Sequence, residues 1–208
     1  MATLPRVLSN PYNPYINMAT PNCSPLLGSL NWCEGKPVLP GIRRRLYYTS
    51  KSNITKWPQL QVDEFGRATS ATLQGSFEMA ADAVFYHIDV MVDKSGLTSE
   101  AQGEKPSQTQ LNKLVAVHPA VDESATMAAA YLNNNDVVCL VQDMDGKYRM
   151  IGNEKWSSKC TVAQDNGQGA TGNAATTINI EHTDVIPAPF YTGTIVTAEG
   201  TINEPAGE

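Results

Sequence analysis

The chain is poor in the groups that carry chemistry. Three histidines and four cysteines are spread over 208 residues, and charged residues make up only 17%. None of the histidines, His87, His118 and His182, stands in a catalytic motif, and no two carboxylates are spaced for paired acid and base work. No two of Cys23, Cys33, Cys139 and Cys160 form a Cys-x-x-Cys, and no histidine lies at finger spacing from them, which argues against a zinc module. No catalytic, cofactor-binding or metal-ligating residue is assigned, no cofactor is expected, and the chain does not read as an enzyme. A triad assembled from distant residues would leave no linear trace. No apolar run is long enough to cross a bilayer, so no membrane partner is expected. The first residues, Met-Ala-Thr-Leu-Pro-Arg-Val-Leu-Ser-Asn-Pro, lack the continuous apolar core of a signal peptide, and folding in a cytoplasm is the expectation. A cytoplasmic origin favours free thiols, and whether Cys23 and Cys33 pair is left open. A net charge of −6 argues against a surface that grips phosphates, which takes clustered Lys and Arg.

What the chain does have is a hairpin signal. Residues 136–152, Asp-Val-Val-Cys-Leu-Val-Gln-Asp-Met-Asp-Gly-Lys-Tyr-Arg-Met-Ile-Gly, place Asp145-Gly146 between two apolar runs. A two-residue type I′ turn on that dipeptide sets Met144 opposite Lys147, Gln142 opposite Arg149 and Leu140 opposite Ile151. Val141 and Met150 then share the face of Cys139. Val137 to Val141 is apolar on both faces and predicts an interior strand covered on each side, with Cys139 as a buried small hydrophobe. The return strand alternates and is expected to be half exposed. Asp143-Met144-Asp145-Gly146 also looks like a fragment of a calcium loop, but the register puts Val141 at the first ligand position and Gly152 where the distal Glu belongs.

Around the hairpin the chain reads mainly as strand. Residues 1–40 carry seven prolines, from Pro5 to Pro40, so a long helix or a regular interior strand is excluded there. Tyr12, Tyr15, Ile16, Leu26, Leu27, Leu30 and Trp32 are too many large apolar groups for a solvated tail. An extended arm packing on its own domain or on a neighbouring subunit is the expectation. Ile42, Leu46 and Tyr48 share strand parity, and Arg43-Arg44-Arg45 reads as a strand face that is solvated or paired with acids of another chain. Ile54, Trp57-Pro58 and Leu60 mark a loop with an aromatic anchor. Within residues 71–92 the apolar parity switches between Ala81 and Val84, which implies a bulge, a bend or two strands. Residues 97–109 are polar and read as an exposed loop, and Leu111 to His118 as a strand stopped by Pro119.

One helix is expected near residues 123–133. Asp122 is its N-cap, Ala125, Ala128, Tyr131 and Leu132 its apolar stripe, and Asn133-Asn134-Asn135 its left-handed cap. It is expected to pack on the strand at Val137–Val141. Gly167-Gln168-Gly169 and Gly172 have the spacing of a dinucleotide loop, but no apolar strand leads in and no amphipathic helix leads out. Thr177 to Glu181 alternates as a strand, and His182 beyond it reads as a solvated neighbour of Glu181. His87 reads as lying on the less buried face of its strand.

The succession of strand-rich region, short helix, residues 136–152 with their Gly152, the Gly/Ala/Thr loop 167–177, the alternating strand 177–181 and the Pro187-Ala-Pro-Phe190 exit resembles phage tail tube-like virion proteins, notably those of phages infecting Bacteroidetes. The resemblance covers about residues 71–192, and its motifs are structural. It implies a β-sandwich or barrel with one flanking α-helix over residues 41–192, a long extended N-terminal arm over 1–40 and a C-terminal strand or arm over 193–208. It implies a virion localisation in the tail, assembly of the chain with itself into hexameric, stacked rings, contact with neighbouring virion tail proteins, and DNA passing through the lumen without specific binding. A head–tail connector or another virion ring or decoration protein is the alternative, and a carbohydrate-binding β-sandwich using exposed Trp57 or Trp156 is a further one.

Overall fold

The computed structural model describes residues 28–203. The expectations placed on Tyr12, Tyr15, Ile16, Cys23, Leu26 and Leu27 lie outside the described residues. A compact unit begins at Cys33, and residues 28–40 form no helix or strand. β1 (Ile42–Ser50) leads through a 3₁₀ turn to β2 (Ile54–Lys56), β3 (Gln59–Val62) and β4 (Ala68–Gln74). Then come β5 (Glu78–Met79), β6 (Tyr86–Asp89), β7 (Gly96–Gln102), β8 (Thr109–His118) and α1 (Glu123–Asn133). After the helix follow β9 (Val137–Asp143), β10 (Tyr148–Ile151), β11 (Lys159–Asp165), β12 (Ala175–Asp184), β13 (Phe190–Tyr191), β14 (Ile195–Thr197) and β15 (Gly200–Ile202).

The architecture is mainly β, a sandwich with one α-helix among the described residues. Seven strands form one sheet in the order β3-β4-β13-β10-β9-β1-β6, and four form a second in the order β11-β12-β8-β7. All pairings in these two sheets are antiparallel except β13 with β4. β9 lies deep in the larger sheet, and its alternation sorts two cores. Val137, Cys139 and Val141 face the smaller sheet and meet Leu46, Ile151, Leu114, Ile178 and Ile180. Val138 and Leu140 face the other way and meet Tyr148, Met150 and Tyr191, together with Phe77 and Phe85 from connecting segments and Ile195 from β14. The expected cover on both faces of Val137–Val141 is therefore present, and Cys139 is buried.

The hairpin register differs from the expected one by a single residue. Tyr148 pairs with Gln142, Arg149 with Val141, Met150 with Leu140 and Ile151 with Cys139. Asp143 N donates to Lys147 O (2.8 Å) and Gly146 N to Asp143 O (2.9 Å), so Met144-Asp145-Gly146 forms a three-residue loop. Gly146 sits at φ +94°, the left-handed position such loops give to glycine. A one-residue slip moves each return-strand side chain to the other face. Met150 therefore leaves the face of Cys139 and Ile151 joins it. Apolar patterning could not decide this, because both faces are apolar; the turn decides it, supported by Arg149 Nε to Asp143 Oδ2 at 2.9 Å. The return strand is also buried rather than half exposed, with only Arg149 part-exposed. β13, formed by the Pro-Ala-Pro-Phe exit, pairs along its outer side and makes it interior.

The helix starts as expected: Ala125 N donates to Asp122 Oδ1 at 2.7 Å. It rests on β11 and β12 rather than on β9. Its buried stripe is Ala125, Ala129 and Leu132, while Tyr131 is exposed. No left-handed residue ends it: Asn134 has φ −117°, and the last carbonyls are met by side chains, Asn134 Nδ2 to Ala130 O (3.1 Å) and Asn135 Nδ2 to Tyr131 O (2.7 Å). The parity switch after Ala81 corresponds to a chain reversal with Asp82 at φ +62°, which separates β5 from β6. The polar stretch from residue 97 divides. Residues 97–102 belong to β7, an edge strand whose polar side chains face solvent while its backbone pairs with β8, and 103–108 form the expected loop. Of the basic run, Arg43 and Arg44 are exposed, and Arg45 meets acids of its own chain: Arg45 Nε lies 3.0 Å from Asp89 Oδ1 and Arg45 Nη1 3.3 Å from Glu199 Oε2. The register shift between Ile42 and Leu46 lets both those residues point inward while Arg44 stays exposed.

Candidate functional site

Three groups of polar side chains and one apolar cleft carry the places where chemistry or binding could reside. The first group joins the starts of β9 and β11. Asp136 Oδ1 accepts from Ser158 N (2.8 Å) and lies 2.7 Å from Ser158 Oγ. Lys51 Nζ is 3.8 Å from Asp136 Oδ2 and donates to Trp156 O at 2.9 Å. Partial burial opposes ionisation of Asp136, but the bonds from Ser158 and Ser157 and the charge of Lys51 outweigh it and hold the carboxyl below its ordinary value. Ser158 Oγ also accepts from Val137 N (3.0 Å) and lies 2.6 Å from Val137 O. The hydroxyl is fully occupied and its acidic neighbour is a weak base, so the cluster acts as a brace and not as an activated nucleophile.

The second group lines a cavity of about 410 Å³ between α1 and β6. His118 Nδ1 lies 2.7 Å from Asp89 O, Asp89 pairs with Arg45, and Asp122 caps the helix. His87 is half-buried, 3.9 Å from Glu199. Each of these groups already has a partner. No cluster of three or more metal-ligating side chains occurs among the described residues.

The third is His182, and it corrects a sequence expectation. β12 continues past Glu181 to Asp184, so His182 keeps the inward parity of Ile178 and Ile180. It is 1% exposed, and neither Nδ1 nor Nε2 has a hydrogen-bond partner. Burial lowers its pKa to about 4, with the nearby Asp136 charge pulling it up and Lys51 pushing it down. The imidazole is therefore neutral at pH 7. The signal was present in the sequence as a period of two running through Ile178, Ile180 and His182.

The cleft brings together two aromatics that the sequence offered separately. Trp57 and Trp156 are half-buried, not exposed, and both line a cleft of about 240 Å³ with Leu60, Val62, Val185 and Pro189. Trp57 is anchored edge-on to Phe77 at 5.7 Å between ring centroids. The deep polar groups are committed. Asn153 Oδ1 accepts from Lys155 N (3.0 Å) and Trp156 N (2.9 Å), and its Nδ2 donates to Thr183 O (3.1 Å). Asp184 accepts from Val185 N at 2.7 Å, and burial raises its pKa despite the bonds from Val185 and Asn153. The cleft therefore offers apolar wall, with Gln59, Glu154 and Lys155 as the further polar side chains that line it.

The dinucleotide-like glycines fall in the hairpin loop between β11 and β12, with strands on both sides. The calcium-like residues form the turn between β9 and β10. Cys33 is an exposed free thiol, and Cys139 and Cys160 are buried free thiols; burial raises both buried thiols, Cys160 to about 11. No protein-family model, no curated protein and no solved structure matches this chain.

Proposed function

We propose that the protein is a structural subunit of a phage tail tube that assembles with itself into stacked rings around a channel for DNA. The observation that carries this reading is a contrast in cover. The sandwich interior is closed, while Leu30, Trp32, Val38 and Leu39 are 102%, 72%, 78% and 58% exposed. Four large apolar side chains on a short stretch with no helix or strand are expensive to leave in water, each amounting to about 1.5–3 kcal/mol if buried. A neighbouring subunit is the cover that a ring supplies, because closed rings form through repeated heterologous contacts. The clusters around Asp136 and Asp89 support the reading by being braces rather than reactive centres. A net charge of −6 suits a lumen through which phosphates slide without sticking.

Negative-stain microscopy of the purified full chain tests the proposal. Rings or short stacks with an open centre are expected, and particles of subunit size alone at high protein concentration would overturn it. A head–tail connector would use the same surfaces and is distinguished by single rings that do not stack.

A further inference from the structure

The stretch Ser29-Leu30-Asn31-Trp32 alternates polar and apolar, the pattern of a half-buried strand, yet it has no strand partner among the described residues. Leu30 and Trp32 share one face of such a strand. A matching vacancy exists elsewhere in the fold. β3 is an edge of the larger sheet, hydrogen-bonded among the described residues only to β4, and Leu60 and Val62 of β3 form one wall of the Trp57–Trp156 cleft. An open edge beside an apolar cleft is the arrangement used for strand addition: backbone bonds at the edge give affinity, and alternate side chains enter the pocket. Val62, on that edge, is exposed.

We infer that residues 29–33 of one copy add as a strand to the β3 edge of a second copy, seating Leu30 and Trp32 between Trp57 and Trp156. The apolar walls of the cleft suit this occupant. Trp57, Leu60, Val62, Trp156, Val185 and Pro189 offer apolar surface to Leu30 and Trp32, with Gln59, Glu154 and Lys155 beside them. Ser29 to Cys33 carries no charge. The edges of the smaller sheet fit less well. β7 presents Ser99 and the Glu100–Lys113 ion pair, and a like segment laid there would find no aromatic pocket. α1 rests on β11.

This inference rests on the self-assembly reading and names its contact, so the test separates the two. Cys33 serves as a natural probe. In a Cys23→Ser full chain, Gln59→Cys, Gln61→Cys and Val62→Cys are introduced singly along β3, with Glu100→Cys on β7 as the comparison. All four positions are exposed, so folding is preserved. Isotopically light and heavy chains are mixed, assembled, oxidised with copper phenanthroline and mapped by mass spectrometry. Disulfides from Cys33 to the β3 cysteines that join light to heavy chains are expected, and Leu30→Asp with Trp32→Asp should lower their yield about tenfold or more, as loss of a buried anchor does. Assembled particles with links only to the β7 cysteine, links only within one chain, or no links would overturn the strand addition while leaving assembly intact. A chain that sediments as a monomer at every concentration would overturn both.

Discussion

The two faces of the larger sheet are filled by different kinds of residue. Between the sheets the buried hydrophobic residues are aliphatic or cysteine, from Ile42 and Leu46 through Leu114 to Ile180, with no Phe, Tyr or Trp among them. On the far face Phe77, Phe85, Tyr148 and Tyr191 dominate, and the Phe77 ring lies 5.1 Å from that of Tyr191 and 5.4 Å from that of Phe85. The reason is the cover. Two regular sheets stack about 10 Å apart, and pairs of aliphatic side chains fill that gap. The far face is roofed by the short pairs β2–β5 and β14–β15 and by loops, whose spacing is irregular, and large rings fill irregular space. The same roof leaves the Trp57–Trp156 cleft unfilled. The regular core makes a closed scaffold, and the irregular one makes a surface with room for a guest.

The contrast can be broken most directly by truncation. Phe85→Ala in the far core should cost about 3–5 kcal/mol and Leu114→Ala in the near core about 2–5 kcal/mol. Both should lower a single urea transition, because β9 contributes to both cores; two separated transitions would show that the roof unfolds by itself. A smaller effect comes from His182. Its pKa is about 4 in the fold against an ordinary 6.5, so the unfolded chain takes up a proton first as pH falls. The stability present above pH 6.5 is lost progressively down to pH 4, by about 3 kcal/mol in all, and is flat in this group below that. His182→Leu should remove that component of the slope in denaturant titrations, and an unchanged slope would contradict the burial of the ring. Gly152 closes the return strand at φ +122°, where an added Cβ would lie 3.0 Å from Val138 Cγ2. Gly152→Ala should cost about 1–3 kcal/mol, read as a shift in Tm, and would perturb both cores through Val138. The smallest effect is Asp122→Ala, about 1 kcal/mol through loss of the cap on Ala125, and it should leave the far core untouched by near-ultraviolet dichroism.

The near core was more legible in the sequence than the far one, for physical reasons. Regular strands write a period of two, as Thr177–Glu181 does, Val137–Val141 stood out as a continuous apolar run before Asp145-Gly146, and Asp122 announced its helix. The far core has no such period. Phe85 is almost wholly buried while its neighbour Tyr86 is exposed. Its place is set by a bond from Phe85 N to Val196 O, 2.8 Å long and more than a hundred residues distant in the chain. The one-residue error in the hairpin had a related cause: with both faces apolar, only the loop geometry at Gly146 could fix the register. Trp57 and Trp156 were visible singly, but their meeting in one cleft depends on long-range folding that leaves no local mark. His182 was misjudged because the strand was ended too early, at Glu181.

The decisive quantity is the mass of the assembled particle. Sedimentation velocity of the full chain across a concentration series should show a subunit giving way to a ring-sized species and then to stacks, with Leu30→Asp and Trp32→Asp together shifting the balance back to the subunit. A single species of subunit mass at every concentration would contradict the reading of this sandwich as a self-assembling tube component.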